Sequence, residues 1–218
     1  MPTLRPYDGI HVLDLGDGEN RFSPTWLDAF EEALDVVVAE PAPLVTIGGG
    51  KFYSNGLDLD WLSDHMDQLG SYTARIEALL ARILTLPVPT TAAVNGHAFG
   101  GGAMLAIAHD WRVMREDRGY FCFPEVDIQI PFTPGMAALI QAKLTPQAAT
   151  NSMTTGRRFP GPGAVAAGLV DGITPASDLV EAAISRVAPY TGKHPDTLAA
   201  IKSTMYTDAV AKLTDGAL

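Results

Sequence analysis

Apolar and polar residues follow two rhythms along this chain. Short apolar, β-branched runs bounded by Gly, Pro or Asp read as strands at residues 11–16, 45–47, 90–94 and 111–114. Longer stretches repeat apolar residues every three or four positions and read as helices. Ser23-Pro24 offers an N-cap followed by proline at the first helical position. Trp26, Leu27, Phe30, Leu34, Val37 and Val38 then recur on one face. A further helix from about Ser71 carries Tyr72, Ile76, Leu79, Leu80, Ile83 and Leu84. From Pro146 onward the pattern is helical throughout, and Leu198, Ile201, Met205, Ala209, Val210 and Leu213 make one apolar face. Strands alternating with crossover helices predict an α/β core with parallel strands.

Composition narrows the function classes. A chain of 218 residues fits one large domain, or one domain with a small helical appendage. The net charge of −10 and the absence of a basic run argue against nucleic acid, since phosphate binding needs clustered Lys and Arg. No apolar stretch reaches membrane-spanning length. Residues 1–18 lack the pattern of a secretory leader, and Asp215-Gly216-Ala217-Leu218 is no peroxisomal address. The one cysteine, Cys122, has no partner for an internal disulfide, which suits a reducing compartment. These features predict a cytoplasmic protein that works away from membranes.

The candidate chemistry lies where the strand at 90–94 meets the next helix. Asn95-Gly96-His97-Ala98-Phe99-Gly100-Gly101-Gly102 runs straight into the apolar residues 103–108. Three consecutive glycines strip side chains from a helix N-terminus, where backbone N–H groups lack partners and the dipole is positive. Such a turn serves either a ligand oxygen or close helix–sheet packing. A P-loop would need Lys after the last glycine, a dinucleotide fingerprint would need G-x-G-x-x-G, and a serine-hydrolase elbow would need G-x-S-x-G. None of these fits. An oxyanion hole remains, with bare donors facing a carbonyl that becomes an enolate or tetrahedral centre. A second glycine turn, Phe52-Tyr53-Ser54-Asn55-Gly56-Leu57-Asp58-Leu59, follows another strand and can supply a second donor.

These two segments resemble the paired oxyanion motifs of the crotonase superfamily, also called the enoyl-CoA hydratase/isomerase family. The resemblance runs from about Ile10 to Asp171. It implies a spiral of β-β-α units over residues 1–190, followed by a short helical C-terminal segment over residues 191–218. It also implies enolate stabilisation on an acyl-CoA thioester in fatty acid metabolism, including β-oxidation. No cofactor and no metal are implied, and a homotrimer or hexamer is expected. Carried over, the oxyanion donors are the backbone N–H groups of Leu57 and Gly101. The residues expected to contact substrate are Ser54, Asn55, Gly56, Phe99, Gly100, Gly102 and Met104.

The reaction depends on the acid–base groups. Family hydratases carry two glutamates, and the position of the first, two residues after the glycine triplet, is Met104 here. A thioether cannot exchange protons. The second falls in Phe123-Pro124-Glu125-Val126-Asp127-Ile128 and corresponds to Glu125. Its apolar neighbours predict a raised pKa and a stronger base near neutral pH. One carboxylate with an oxyanion hole suits an allylic double-bond shift, and the motifs look closest to the Δ3,Δ2-enoyl-CoA isomerase branch. The alternatives are a hydratase or a non-catalytic acyl-CoA-binding paralogue. His97 is expected at the rim and Cys122 in the core, while Asp58 is expected to tie down its loop. Arg21 and Lys51 are candidates for CoA phosphates.

Overall fold

The computed structural model describes residues 1–215. The last three residues of the expected C-terminal segment 191–218 lie outside the described residues. In chain order the elements begin with β1 (Thr3–Tyr7), β2 (Ile10–Asp14), α1 (Pro24–Ala39), β3 (Leu44–Ile47), β4 (Phe52–Ser54), α2 (Leu59–Asp64) and α3 (Leu69–Leu84). The middle of the chain holds β5 (Thr90–Val94), β6 (His97–Phe99), α4 (Gly101–Ala108), β7 (Trp111–Arg115), β8 (Phe121–Cys122), α5 (Glu125–Ile128), α6 (Pro134–Lys143) and α7 (Pro146–Met153). It closes with α8 (Gly161–Ala166), β9 (Gly172–Thr174), α9 (Leu179–Val187), α10 (Pro195–Met205) and α11 (Thr207–Thr214).

The strands form two sheets. One has the order β1-β2-β3-β5-β7-β9 and is parallel except for the β1–β2 hairpin; the other has the order β4-β6-β8 and is parallel. From β3 to β8, each turn of the chain lays one strand in the large sheet, one in the small sheet and then one or two helices. This is the expected β-β-α spiral, and it stacks the ends of β4, β6 and β8 side by side. Helices α1, α3, α4 and α6 fill the main core from one face of the large sheet. Helix α9 covers the other face, with Leu179, Ala183, Ile184 and Val187 against Ile10, Val45, Ala93 and Val113. Burial on both faces explains why these parallel strands read as short apolar runs. Among the described residues, no helix is long and apolar enough to cross a membrane.

The helix signals translate directly. Ser23 Oγ accepts the Trp26 N–H and caps α1; such a cap is worth about 1 kcal/mol. The six apolar positions read on α3 are all buried, as are five of the six on α1, where Val38 stays exposed. Two expectations are corrected. The chain after Pro146 is not all helical, because β9 pairs with β7 and completes the large sheet. Gly172-Ile173-Thr174 is too short to display a period of its own. The C-terminal apolar face is also not one helix, since it breaks at Tyr206. Ala209 and Leu213 enter the main core, whereas Ile201 and Met205 are 51% and 64% exposed. Strand β1 escaped the pattern because it is an exposed edge strand containing Pro6. Its signal was Asp8-Gly9, both at positive φ, a pairing that closes tight hairpins.

Candidate active site

The first turn leaves β4 at Ser54. The Ser54 hydroxyl donates to the Asn20 carbonyl at 2.7 Å and accepts the Gly56 N–H at 3.1 Å. Gly56 then takes a φ of +75°, and the chain turns into α2, capped by Asp58 on the Trp61 N–H. The Asp58 N–H donates to the Tyr72 hydroxyl at 2.8 Å, and that hydroxyl donates to the Phe22 carbonyl. Between these satisfied neighbours, the Leu57 N–H has no hydrogen-bond partner among the described residues.

The second turn leaves β6 at Phe99. The Gly100 N–H donates to the Cys122 carbonyl at 3.0 Å, and Gly100, at a φ of +51°, swings the chain into α4. Gly101 opens that helix, and its N–H also has no partner among the described residues. The two turns touch backbone to backbone. A Cβ on Gly56 would stand 2.6 Å from the Gly101 nitrogen, and one on Gly102 would stand 2.2 Å from the Ser54 carbonyl oxygen. Close packing and bare donors thus belong to the same glycines. Asn95 fixes the approach, accepting the Gly48 N–H at 2.9 Å and donating to the Gly50 carbonyl at 3.1 Å.

Glu125 follows Pro124 at the start of α5, just beyond β8. It is 8% exposed, and its Oε2 is buried without a hydrogen-bond partner among the described residues. A Cβ on Gly100 would lie 3.4 Å from Glu125 Oε1, so the missing side chain there brings the carboxylate up against the donor turn. Loss of water around the charged form pushes the Glu125 pKa up to about 7; its own backbone N–H opposes this less strongly. A proton shared near neutral pH suits a group that must both take and return one.

Leu57, Gly101 and Glu125 line one cavity of about 360 Å³, together with Asn55, Phe99, Gly100 and Met104. Three residues expected at the substrate do not line it. Ser54 is fully buried and its hydroxyl is occupied within the turn, while Gly56 and Gly102 form the contact between the turns. Met104 is buried at the cavity wall, one turn into α4. Met136, Ile128, Ile130 and Pro131 extend the wall with apolar surface. The other carboxylate at the cavity is Asp60, whose exposed side chain pairs with Arg21 at the rim.

Arg21 lines this cavity but is already held by Glu19 and Asp60, with Asp58 at 3.7 Å. Lys51 lies elsewhere, 5.5 Å over the Phe52 ring. Sequence reasoning missed Arg158, which lines the cavity, sits 5.6 Å over the Phe99 ring and has no ion-pair partner among the described residues. It also missed Asn20, whose side-chain amide donates to the Gly16 and Tyr53 carbonyls. The available signal was an Asn closing the Asp17-Gly18-Glu19-Asn20 turn, a residue type that tolerates the left-handed region, where Asn20 indeed lies at a φ of +51°. His97 stands among Phe52, Phe99 and Tyr120 at ring distances of 5.0–5.5 Å, outside the cavity. Burial and the cations Lys51, Arg118 and Arg158 keep it below the usual histidine range. It packs as one ring of an aromatic cluster.

The sequence model of the enoyl-CoA hydratase/isomerase family matches residues 6–217. The chain belongs to that family. Among the relatives of this crotonase-fold enzyme is enoyl-CoA delta isomerase 1, peroxisomal, of Arabidopsis thaliana. It is 36% identical over 191 residues, covering 84% of this chain and 80% of the relative. Enoyl-CoA delta isomerase 3 of the same plant is 33% identical over 219 residues, covering 94% and 92%. The apo structure of an enoyl-CoA isomerase from Mycobacterium tuberculosis superposes with a TM-score of 0.90 at 26% identity, covering 99% of this chain and 95% of that one. Family membership accounts for the fold and for both turns.

Proposed function

We propose that this chain is a Δ3,Δ2-enoyl-CoA isomerase in which Glu125 is the single acid–base group. One observation carries the reading: a buried carboxylate with an unpartnered oxygen shares a cavity with two unpartnered backbone donors, and Met104 occupies the place of a second carboxylate. Glu125 removes a proton from C2 of a 3-enoyl-CoA. The electron pair moves through the double bond and the thioester carbonyl, and the Leu57 and Gly101 N–H groups hold the dienolate oxygen. Each such donor is worth about 3 kcal/mol of barrier. Glu125 returns the proton at C4, which gives the 2-trans-enoyl-CoA. Atoms balance with neither water nor a metal. The two plant relatives are enoyl-CoA delta isomerases, which supports this reaction over hydration.

The deciding experiment incubates the protein separately with 3-enoyl-CoA and 2-enoyl-CoA and identifies the products. Conversion of the 3-enoyl thioester is expected. Brisk hydration of the 2-enoyl thioester, with the 3-enoyl thioester untouched, overturns the single-base reading. In the same assay Met104→Ala is expected to shift acyl-chain preference while leaving turnover within about tenfold, because a thioether contributes shape rather than protons. Loss of all activity in that variant, with the fold intact, would contradict this role.

We further propose a homotrimer or hexamer. Val126, Ile128 and Ile130 are 52%, 48% and 39% exposed beside the cavity, an apolar strip that a single chain leaves uncovered. Light scattering is expected to give a multiple of three chains, and a monomer mass at micromolar concentration rejects this assembly.

A further inference from the structure

A second cavity, of about 430 Å³, lies at the opposite end of α4 from the glycine turns. Its apolar walls are Trp111, Tyr190, Leu198, Ile201 and Met205. The Trp111 and Tyr190 rings stack at 5.2 Å and 9°, giving one flat side. Its floor is cationic. Lys202 donates to Asp110 at 2.6 Å and to the Val88 carbonyl at 2.8 Å. Behind it, Arg112 pairs with Asp171 at 2.9 Å and donates to the His109 carbonyl just past α4. Each of these cations has a carboxylate. Lys143 does not: its Nζ meets the Tyr206 hydroxyl at 3.3 Å and stands 5.2 Å over that ring, with no ion-pair partner among the described residues. Lys193 and His194 add polarity to the rim.

A cation drawn partly out of water gains from an anion that shares its site. Burial, aided by the like charge of Arg112 and Lys202 and opposed by the more distant carboxylates of Asp110 and Asp171, pulls the Lys143 pKa down to about 8, so it still carries its charge at pH 7. The surrounding surface is apolar, and on its floor a single cation without a carboxylate, Lys143, matches one negative charge; Lys193, also without an ion-pair partner among the described residues, is exposed at the rim. A phosphate would need several donors, whereas a carboxylate on an apolar tail needs one cation and a greasy wall. The volume falls within the range of small-molecule pockets. We infer that this cavity binds a monocarboxylate amphiphile, such as a fatty acid anion, with its head at Lys143 and its tail along Trp111, Ile201 and Met205. The chain would then hold two sites of different chemistry, one at each end of α4.

Isothermal titration calorimetry with octanoate and with octanol tests this, using the full chain, Lys143→Met and Ile201→Trp. Octanoate is expected to saturate one site per chain. Octanol, with a similar tail and no charge, should bind about tenfold or more weaker, as should octanoate to Lys143→Met. Ile201→Trp fills the cavity from its exposed side and leaves the floor intact, so it keeps the test open if Lys143→Met does not fold. It should weaken octanoate by a similar factor. Binding of octanoate that survives both variants belongs to the catalytic cavity and overturns the inference. So does equal affinity for octanol, or no binding to the wild-type chain. Light scattering alongside covers the remaining occupant: an oligomer that Ile201→Trp dissociates assigns this face to a second copy of the chain and rejects the ligand.

Discussion

Replacing Glu125 by Gln is expected to lower the rate of 3-enoyl-CoA isomerisation by about 100-fold or more, the scale of losing a positioned proton-transfer group. The size and neighbours of the side chain are retained, so fold and thioester binding persist. In the wild type the base is the carboxylate, so turnover should rise with pH through about 7, where burial has moved this group. Stability should run the other way. The folded chain holds the Glu125 proton more tightly than the unfolded chain, whose carboxyl keeps its ordinary value of 4.5. This group's contribution is fully favourable below pH 4.5, fades as pH rises toward 7 and is absent above it. The gap corresponds to about 3 kcal/mol as an upper order of magnitude. A neutral Gln escapes this loss, so the variant should gain in Tm over wild type at pH 8 but not at pH 4. A near-wild-type rate for Glu125→Gln would remove the central residue of the mechanism. An equal Tm change at both pH values would remove the account of its pKa.

Gly56→Ala is expected to lose about 100- to 1000-fold in turnover, comparable to deleting an oxyanion donor. The new methyl would fall 2.6 Å from the Gly101 nitrogen and 2.9 Å from the Phe99 carbonyl, both of them backbone atoms that cannot rotate away. The turns must separate, and on the proposed mechanism the Leu57 and Gly101 donors then lose the oxygen they share. Gly168→Ala is the control. Gly168 has a similar φ of +72° and nothing within 4 Å of its would-be Cβ. It should cost only the left-handed backbone penalty of about 1–2 kcal/mol and leave turnover unchanged. Chemical unfolding and steady-state rates on the two variants separate strain from loss of the site. If both variants lose activity alike, the contact between the turns is not what matters.

Much of the fold was legible because its elements carry strong local signals. Ser23-Pro24 starts α1 as read, and the apolar face of α3 is buried residue for residue. The strand at 90–94 appears with those same limits. The small sheet was not legible, since β4, β6 and β8 have two or three residues each and exist through pairing with one another. The shared cavity of the candidate site was legible in its glycines and in Glu125, where backbone approach and apolar context leave local marks. Long-range relations were not. The ion pairs that occupy Arg21 come partly from residues nearly forty positions away, and the hydroxyl of Ser54 turns inward to Asn20. Arg158 reaches the same cavity from beyond α7, a place that no spacing rule connects to the turns.

Helix α4 is buried along its whole length, from Gly101 to Ala108. Its hydrogen-bonded amides, from Met104 on, should therefore exchange with solvent deuterium only through global unfolding, on the slowest timescale the molecule has. Helix α5, four residues long with Val126 and Ile128 exposed, should exchange through local opening. The two halves of the site thus lie at opposite ends of the stability range. On the proposed mechanism the Gly101 donor is fixed by the core, and the base rides on an element that can shift. Adaptation to acyl groups of different shape then falls to residues 125–131 rather than to the oxyanion turn.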